Sequence, residues 1–157
     1  MKKHKWSVIM CLSLCLMLVS LAVMLTSMKP SESTFVAPEQ EPNATKGVPD
    51  MDDPDYARIE DDNLPFKTAV CGMPKRSDDG LTVYFTNPET NEGPLMLQVL
   101  DENGLILAQT GLVDPGYYLK EIDVDLDSGK EITMKVNGYS KAGYYSIGSF
   151  ELQTQVG

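Results

Sequence analysis

The chain has 157 residues, enough for one ordinary domain, and a formal net charge of −10. Residues 1–28 carry three basic and no acidic side chains, residues 29–66 carry ten acidic against three basic ones, and residues 67–157 carry thirteen against seven. Because phosphate binding requires a basic surface, this acidic chain is predicted to have no nucleic-acid partner.

The first segment is hydrophobic and long enough to cross a membrane. Residues 7–28 contain no charged side chain, and about 20 helical residues cross a hydrocarbon core of ~30 Å. Three lysines and Trp6 precede this run, and the positive-inside rule keeps that end in the cytoplasm. The pattern predicts a transmembrane signal-anchor at 7–28, a cytoplasmic basic tail at 1–6, and an extracellular C-terminal domain. A cleaved signal peptide is the alternative, but the run is long for one and lacks an Ala-x-Ala site.

The second segment, residues 29–65, is rich in proline, acidic and small polar side chains. Six prolines and ten acidic residues fall within it, with few large apolar residues between them. Low hydrophobicity with high net charge cannot offset the entropy of ordering, so the segment is predicted to be a disordered acidic stalk. Its carboxylates at 50–55 and 60–62 also suit calcium, but no EF-hand pattern frames them, and a solvated tether is preferred.

The third segment, residues 66–157, alternates apolar and polar side chains with a period of two. In the clearest case, Ile122, Val124 and Leu126 alternate with aspartates. Such alternation is typical of strands with one face on a core. Seven strands are predicted, at about 66–72, 81–87, 95–100, 105–110, 118–126, 131–138 and 144–155. This spacing predicts an all-β fold, an immunoglobulin-like β-sandwich of about seven strands.

Three short polar segments between these strands carry turn signals. Residues 101–104 form a polar loop ending in glycine, which is typical of a hairpin. In Asp114-Pro115-Gly116, proline supplies a fixed φ and glycine a positive φ, as a type II turn requires. Residues 127–130 are predicted to make the next reversal.

Part of the domain resembles a known group of proteins. The chain has Asn-Pro at the end of one strand, then Leu-x-Val-x-Asp-x-x-Gly at 97–104 and Gly-Leu-x-x-Pro-Gly at 111–116. These motifs are similar to those of small, largely uncharacterised membrane-anchored β-sandwich surface proteins of Gram-positive bacteria, often gut-dwelling clostridia. The resemblance covers about residues 81–126. It implies a fold and a surface location, and it carries no activity and no site residue.

Catalytic and metal-binding residue patterns are missing from the exported part. The only histidine, His4, precedes the predicted anchor, which excludes a Ser-His-Asp or Cys-His arrangement in the domain. Cys71 is the only cysteine after the anchor, so zinc lacks its usual ligands. It is predicted to be a small buried hydrophobe. The chain is predicted to be no enzyme, with no catalytic residue, no metal and no cofactor.

Two sets of side chains remain as candidate binding features. The tentative binding surface is Tyr117, Tyr118, Tyr144 and Tyr145, because exposed aromatics stack on saccharides and anchor protein interfaces. Strand alternation predicts that one ring of each adjacent pair points inward and serves packing instead. The second set is the aspartate ladder at 123, 125 and 127, which suits calcium or a basic partner, although charges on an edge strand also discourage aggregation.

The order of anchor, stalk and sandwich favours one function over two others. The leading hypothesis is a non-enzymatic cell-surface domain, tethered to the membrane, that makes protein contacts in the envelope or with another cell. The alternatives are a carbohydrate-binding module that uses the tyrosines and, with least support, an accessory hydrolase with two carboxylates across a cleft.

Overall fold

The computed structural model describes residues 38–50, 56–59 and 63–157. The predicted anchor at 7–28 and cytoplasmic tail at 1–6 lie outside these residues and stay predictions. Within the described ranges, no helix is long and apolar enough to cross a membrane.

The described residues form two antiparallel sheets. Their strands are β1 (Thr45–Lys46), β2 (Tyr56–Ile59), β3 (Thr68–Cys71), β4 (Lys75–Ser77), β5 (Gly80–Asn87), β6 (Leu95–Leu100), β7 (Ile106–Gln109), β8 (Tyr117–Ile122), β9 (Glu131–Tyr139) and β10 (Ser146–Gln155). Sheet A has the order β1-β8-β5-β3-β2, with β4 also paired to β5, and sheet B has the order β10-β9-β6-β7. The all-β prediction is confirmed, in a sandwich-like arrangement.

Both sheets contribute the alternating apolar side chains to one core. On β5, Leu81, Val83 and Phe85 are at most 1% exposed. On sheet B, β6 and β9 bury the apolar members of their own alternation. Fully burying one such side chain stabilises the fold by about 1.5–3 kcal/mol, so this core is the main source of stability. The central members from sheet B are Leu95, Leu97, Val99, Ile132, Met134 and Val136.

The turn predictions are confirmed where glycine φ angles decide them. Gly116 has φ +81°, and the Tyr117 N–H donates to the Asp114 carbonyl at 3.2 Å, closing that turn. Gly104 has φ +80° at the β6–β7 hairpin. Both angles are in the left-handed region that favours glycine.

One predicted strand is shorter than its sequence pattern. The prediction of a strand over 118–126 is correct only as far as Ile122, where β8 ends. Val124 and Leu126 still pack against the core, while the alternating Asp123, Asp125 and Asp127 are exposed. Alternation reports which side chains are buried, and burial does not require a hydrogen-bonded partner strand.

Sheet A also extends into the segment predicted to be a stalk. The strands β1 and β2 lie within 29–65, and they pair with β8 and β3 respectively. The structure therefore differs from the predicted disordered stalk at these strands. Main-chain hydrogen bonds hold them, and such bonds form at a sheet edge whatever the side-chain composition. The polar composition that predicted disorder does not report this pairing.

Candidate binding cleft

The four predicted tyrosines lie on different sheets. Tyr117 and Tyr118 are on β8 of sheet A, and Tyr117 packs against the core, as strand alternation predicted. Tyr144 and Tyr145 lie in the β9–β10 turn of sheet B, where Tyr145 is 64% exposed and Tyr144 is half-buried. None of the four lines the cleft described next.

A cleft of about 290 Å³ lies on the face of sheet A that points away from the core. Phe85 points into the core, so its neighbour Thr86 faces the opposite side of the sheet, into the cleft. The floor consists of Thr68, Ala69 and Thr86, and the sides consist of Gly47, Val48, Tyr56, Lys67, Gly116 and the loop 87–90.

The polar atoms of the cleft floor are already hydrogen-bonded within the protein. The Thr68 hydroxyl donates to the Thr86 carbonyl at 3.0 Å, and the Thr86 hydroxyl donates to the Tyr84 carbonyl at 3.0 Å. Because the single hydroxyl proton of Thr86 is used there, the Tyr56 hydroxyl, 2.9 Å from Thr86 Oγ1, is the donor in that pair. Ala69 and Thr86, which pair across β3 and β5, therefore present methyl groups to a ligand, and Tyr56 adds an aromatic ring at the side.

One side of the cleft is braced by two asparagines. Asn87 is fully buried, and its Nδ2 donates to the carbonyls of Gly93 (3.1 Å) and Val113 (2.8 Å). The Asn87 Oδ1 accepts from Asn91 Nδ2 at 2.7 Å. The Asn91 side chain also pairs with the main chain of Lys67, accepting its N–H and donating to its carbonyl at 2.9 and 2.6 Å. This network fixes the loop after β5 to the residue just before β3.

The opposite side of the cleft comes from the segment around β1. The Gly47 N–H donates to the Gly116 carbonyl at 2.8 Å, and the Gly116 N–H donates to the Asn87 carbonyl at 2.8 Å. These two bonds link the β1 segment, the turn before β8 and the buried asparagine. Val48 follows Gly47 and is 65% exposed, so it supplies an apolar rim.

Besides Lys67 and Glu89, which line the cleft, a group of charged side chains lies on β4, β8 and the segment after β8. Partial burial acts to raise the pKa of Glu121, but hydrogen bonds from Lys120, Ser77 and Thr82 outweigh it and lower the pKa below its usual range. Its hydrogen bond to Lys120 raises the pKa of that lysine. Arg76 contacts Asp125 of the aspartate ladder at 2.8 Å. This pair is exposed, so it contributes at most about 1 kcal/mol.

Neither Cys71 nor the acidic side chains form a reactive or metal-binding group in the described residues. Cys71 is buried, as predicted, and its Sγ donates to the Met73 carbonyl at 3.3 Å. In the part of the chain that the structure describes, no group of three or more His, Cys, Asp or Glu side chains is placed to hold a metal ion.

The residues that build the cleft were missed at the level of sequence. Val48 and Tyr56 fall in the predicted stalk, and the buried Asn87 was interpreted only as part of a strand-ending Asn-Pro pair. An asparagine directly after an apolar alternation is a weak signal for a buried, loop-bracing amide. Comparisons with protein-family models, with curated proteins and with solved structures found no match for the chain.

Proposed function

We propose that the chain is a non-enzymatic cell-surface domain, tethered to the membrane by residues 7–28, that makes protein contacts through the cleft on sheet A. An immunoglobulin-like β-sandwich is the proposed scaffold. The predicted orientation of the anchor places this domain outside the cell, where a partner in the envelope or on another cell meets it.

The chemistry of the cleft is the observation that carries the proposal. Its three hydroxyls donate their protons to one another or to carbonyl groups, so they offer a ligand no free donor. An apolar group that fills the cleft gains burial without breaking these bonds, whereas a group that needs a hydrogen-bond donor from these hydroxyls would have to displace one of them. Protein interfaces bind most strongly where an apolar or aromatic side chain enters such a pocket.

The size and charge of the domain narrow the partner further. A volume of about 290 Å³ is at the lower end of small-molecule sites, which span about 300–1,000 Å³. It suits one large side chain of a protein better than a whole cofactor. The excess of acidic residues in this chain favours a partner that carries basic residues around the side chain that enters the cleft.

A rim substitution with a matched control tests the proposal. Val48→Asp places a charge at the apolar rim, and Leu105→Asp places one at an equally exposed position on the β6–β7 hairpin, since the two side chains are 65% and 64% exposed. A photo-reactive residue at Thr90 on the cleft side captures the partner in intact cells. We expect Val48→Asp to abolish the cross-link and Leu105→Asp to leave it. Equal cross-linking by both variants would rule out the cleft as the binding surface.

Carbohydrate binding is the second candidate, and one observation favours it. Tyr145 is 64% exposed, which leaves its ring available for stacking on a saccharide. A glycan array probed with the full chain and with Tyr145→Ala separates the two proposals. Binding that disappears in Tyr145→Ala and persists in Val48→Asp would favour the carbohydrate function over the cleft.

A further inference from the structure

We propose that residues 39–47, here called the strap, are coupled to the cleft, so that an occupant of the cleft tightens the strap and release of the strap dismantles the cleft. The inference deepens the proposed function and rests on it for biological meaning. Its physical basis is that Gly47 belongs both to the strap and to the lining of the cleft, and that Val48, the next residue, continues that lining.

The first half of the strap is held at a β-bridge to Leu112, in the segment between β7 and β8. The Leu112 N–H donates to the Glu39 carbonyl at 2.8 Å, and the Glu41 N–H donates to the Leu112 carbonyl at 2.9 Å. The Glu41 carboxylate accepts the Gly111 N–H at 2.8 Å. Gln40 and Leu112 form a parallel bridge between these bonds. Apart from Ala44, which packs against the edge of the core, these contacts are few and almost all main-chain, so we expect the strap to open locally before the sheets separate.

The second half of the strap runs directly into the cleft. Thr45 and Lys46 pair with β8, and the Gly47 N–H donates to the Gly116 carbonyl. Gly47 and Gly116 both line the cleft, together with Val48, the residue that follows the strap. If the strap separates from β8, the cleft therefore loses this side. The affinity of any occupant must then fall, and by thermodynamic reciprocity an occupant must favour the docked strap.

Gly111 gives a way to release the strap selectively. A Cβ atom at this position would lie 2.7 Å from the Glu41 nitrogen and 2.8 Å from both the Gln40 carbonyl carbon and the Glu39 carbonyl oxygen. These are main-chain atoms of the strap, and none belongs to the core. An alanine side chain at 111 is therefore incompatible with the docked strap.

Hydrogen exchange on the full chain in detergent micelles tests the first direction of coupling. We expect Gly111→Ala to speed exchange of the Glu41 and Gly47 N–H groups by about tenfold or more, because local opening sets their protection. Exchange of the Gly116 N–H, which lies in the cleft wall, should rise with them. Gly143→Ala is the matched control, since its Cβ would meet nothing nearer than Tyr145 Cδ1 at 3.6 Å.

Glu41→Gln keeps the test valid if Gly111→Ala does not fold. It replaces the carboxylate that accepts the Gly111 N–H by an amide, a weaker acceptor, and changes no backbone position. We expect smaller changes in the same amides. A 3-fluorotyrosine at position 56 reports independently on the cleft through the hydrogen bond of Tyr56 to Thr86. Faster strap exchange with an unchanged Gly116 N–H and an unchanged fluorine signal would overturn the coupling.

Filling the cleft tests the reverse direction without any natural partner. Thr90→Cys, in a background with Cys11→Ser and Cys15→Ser, is labelled with benzyl methanethiosulfonate to place a phenyl group at the cleft. We expect the label to slow strap exchange by about five- to tenfold, within the usual range of coupling between two sites. The same label at Gln153→Cys, on sheet B, should leave the strap unchanged.

The two arms separate this inference from the proposed function. Unchanged strap exchange after labelling at residue 90 would overturn the coupling. Equal photo-cross-linking by Val48→Asp and Leu105→Asp would overturn the proposed protein binding and would leave the coupling untouched. Because the exchange experiment uses no partner, each proposal stands or fails on its own measurement.

Discussion

Sheets A and B differ in the solvent exposure of their outer faces, the faces that point away from the core. The outer face of sheet B is polar: Asn137 donates to Gln98, and Gln98 donates to Gln109, so side-chain amides bridge three neighbouring strands. Lys135 and Glu151 form an exposed pair beside them. In sheet A, all four residues of β3 are buried. Sheet B therefore has a solvated outer face, whereas the outer face of sheet A is covered along β3.

The difference shows what the N-terminal strands contribute. A strand with one wet face alternates in burial, as β9 and β10 do, but β3 does not. Tyr56 on β2 lies beside Cys71 and reaches Thr86 on β5, so its ring extends across the outer side of β3. The cover that buries β3 also leaves the cleft at its edge. A chain without β1 and β2 would have neither feature.

Among substitutions that test this difference between the sheets, Asn87→Ala is expected to lower the free energy of unfolding most. Truncation leaves the buried Gly93 carbonyl without this donor and removes the bonds to Val113 and Asn91. An unsatisfied buried group costs about 1–3 kcal/mol, and the lost bonds add to it, so we expect a loss of about 3 kcal/mol. Urea unfolding measures it, with the exposed Asn43→Ala as control. A loss as small as that of the control would show that the asparagine does not brace the cleft.

Gly138→Ala should destabilise the domain by straining a contact between the two sheets. Gly138 is on β9 of sheet B, and a Cβ atom there would lie 2.5 Å from Cδ1 of Phe66, the buried residue before β3 of sheet A. Overpacking of this kind costs about 1–3 kcal/mol. Thermal unfolding measures the cost. We expect Gly138→Ala together with Phe66→Leu to be less destabilised than the sum of the single variants, and strict additivity would contradict the contact.

A stabilising change is expected in the β9–β10 turn of sheet B. Tyr144 has φ +52°, a left-handed conformation that costs an ordinary residue about 1–2 kcal/mol and that asparagine tolerates better. Tyr144→Asn should therefore stabilise the domain by about 0.5 kcal/mol. Urea unfolding compares it with Tyr145→Asn at the exposed neighbour. Destabilisation by Tyr144→Asn alone would mean that packing of the ring outweighs the backbone strain.

The smallest effect is expected at the β6–β7 turn, and it depends on pH. The N–H groups of Leu105 and Asn103 both donate to Asp101 Oδ1 at 2.8 Å, and the bond from Leu105 contributes most to lowering the pKa of that carboxyl. A lowered folded-state pKa stabilises the fold above the unfolded value of about 3.9 and ceases to do so as the pH falls through the folded value.

Asp101→Asn should therefore destabilise the domain slightly at pH 7, and the difference should vanish at strongly acidic pH. Denaturant unfolding at the two pH values measures it, with the adjacent, exposed Glu102→Gln as control. A difference that persists unchanged in acid would assign the effect to turn geometry and not to charge.

The strands that were predictable are those whose side chains alternate. Leu81, Val83 and Phe85 indicated β5, and the structure buries all three. Turns were predictable where glycine must take a positive φ, as at Gly116. Val124 shows the limit of such patterns, because it is partly buried against the core without belonging to a strand. Side-chain periodicity reports a core face, but it does not report which main-chain groups are paired.

The cleft was less predictable than the fold, for a related reason. Its sides combine Val48 and Tyr56 with Asn87 and Gly116, which are far apart in the chain and share no motif. The predicted tyrosine surface used the most recognisable side chains, but Tyr117 packs against the core and none of the four reaches the cleft. A site built mainly from methyl groups, glycines and main-chain bonds has no distinctive composition for a sequence to show.

The sequence by itself determined the all-β class, the core positions and the turns, because each depends on local residue type and on a period of two. Only the tertiary structure decided that the segment around Thr45 and Tyr56 joins sheet A, because main-chain pairing at a sheet edge depends on proximity and not on side-chain identity. The cleft exists because this segment pairs with sheet A. Its chemistry belongs to residues that the chain brings together only when it folds.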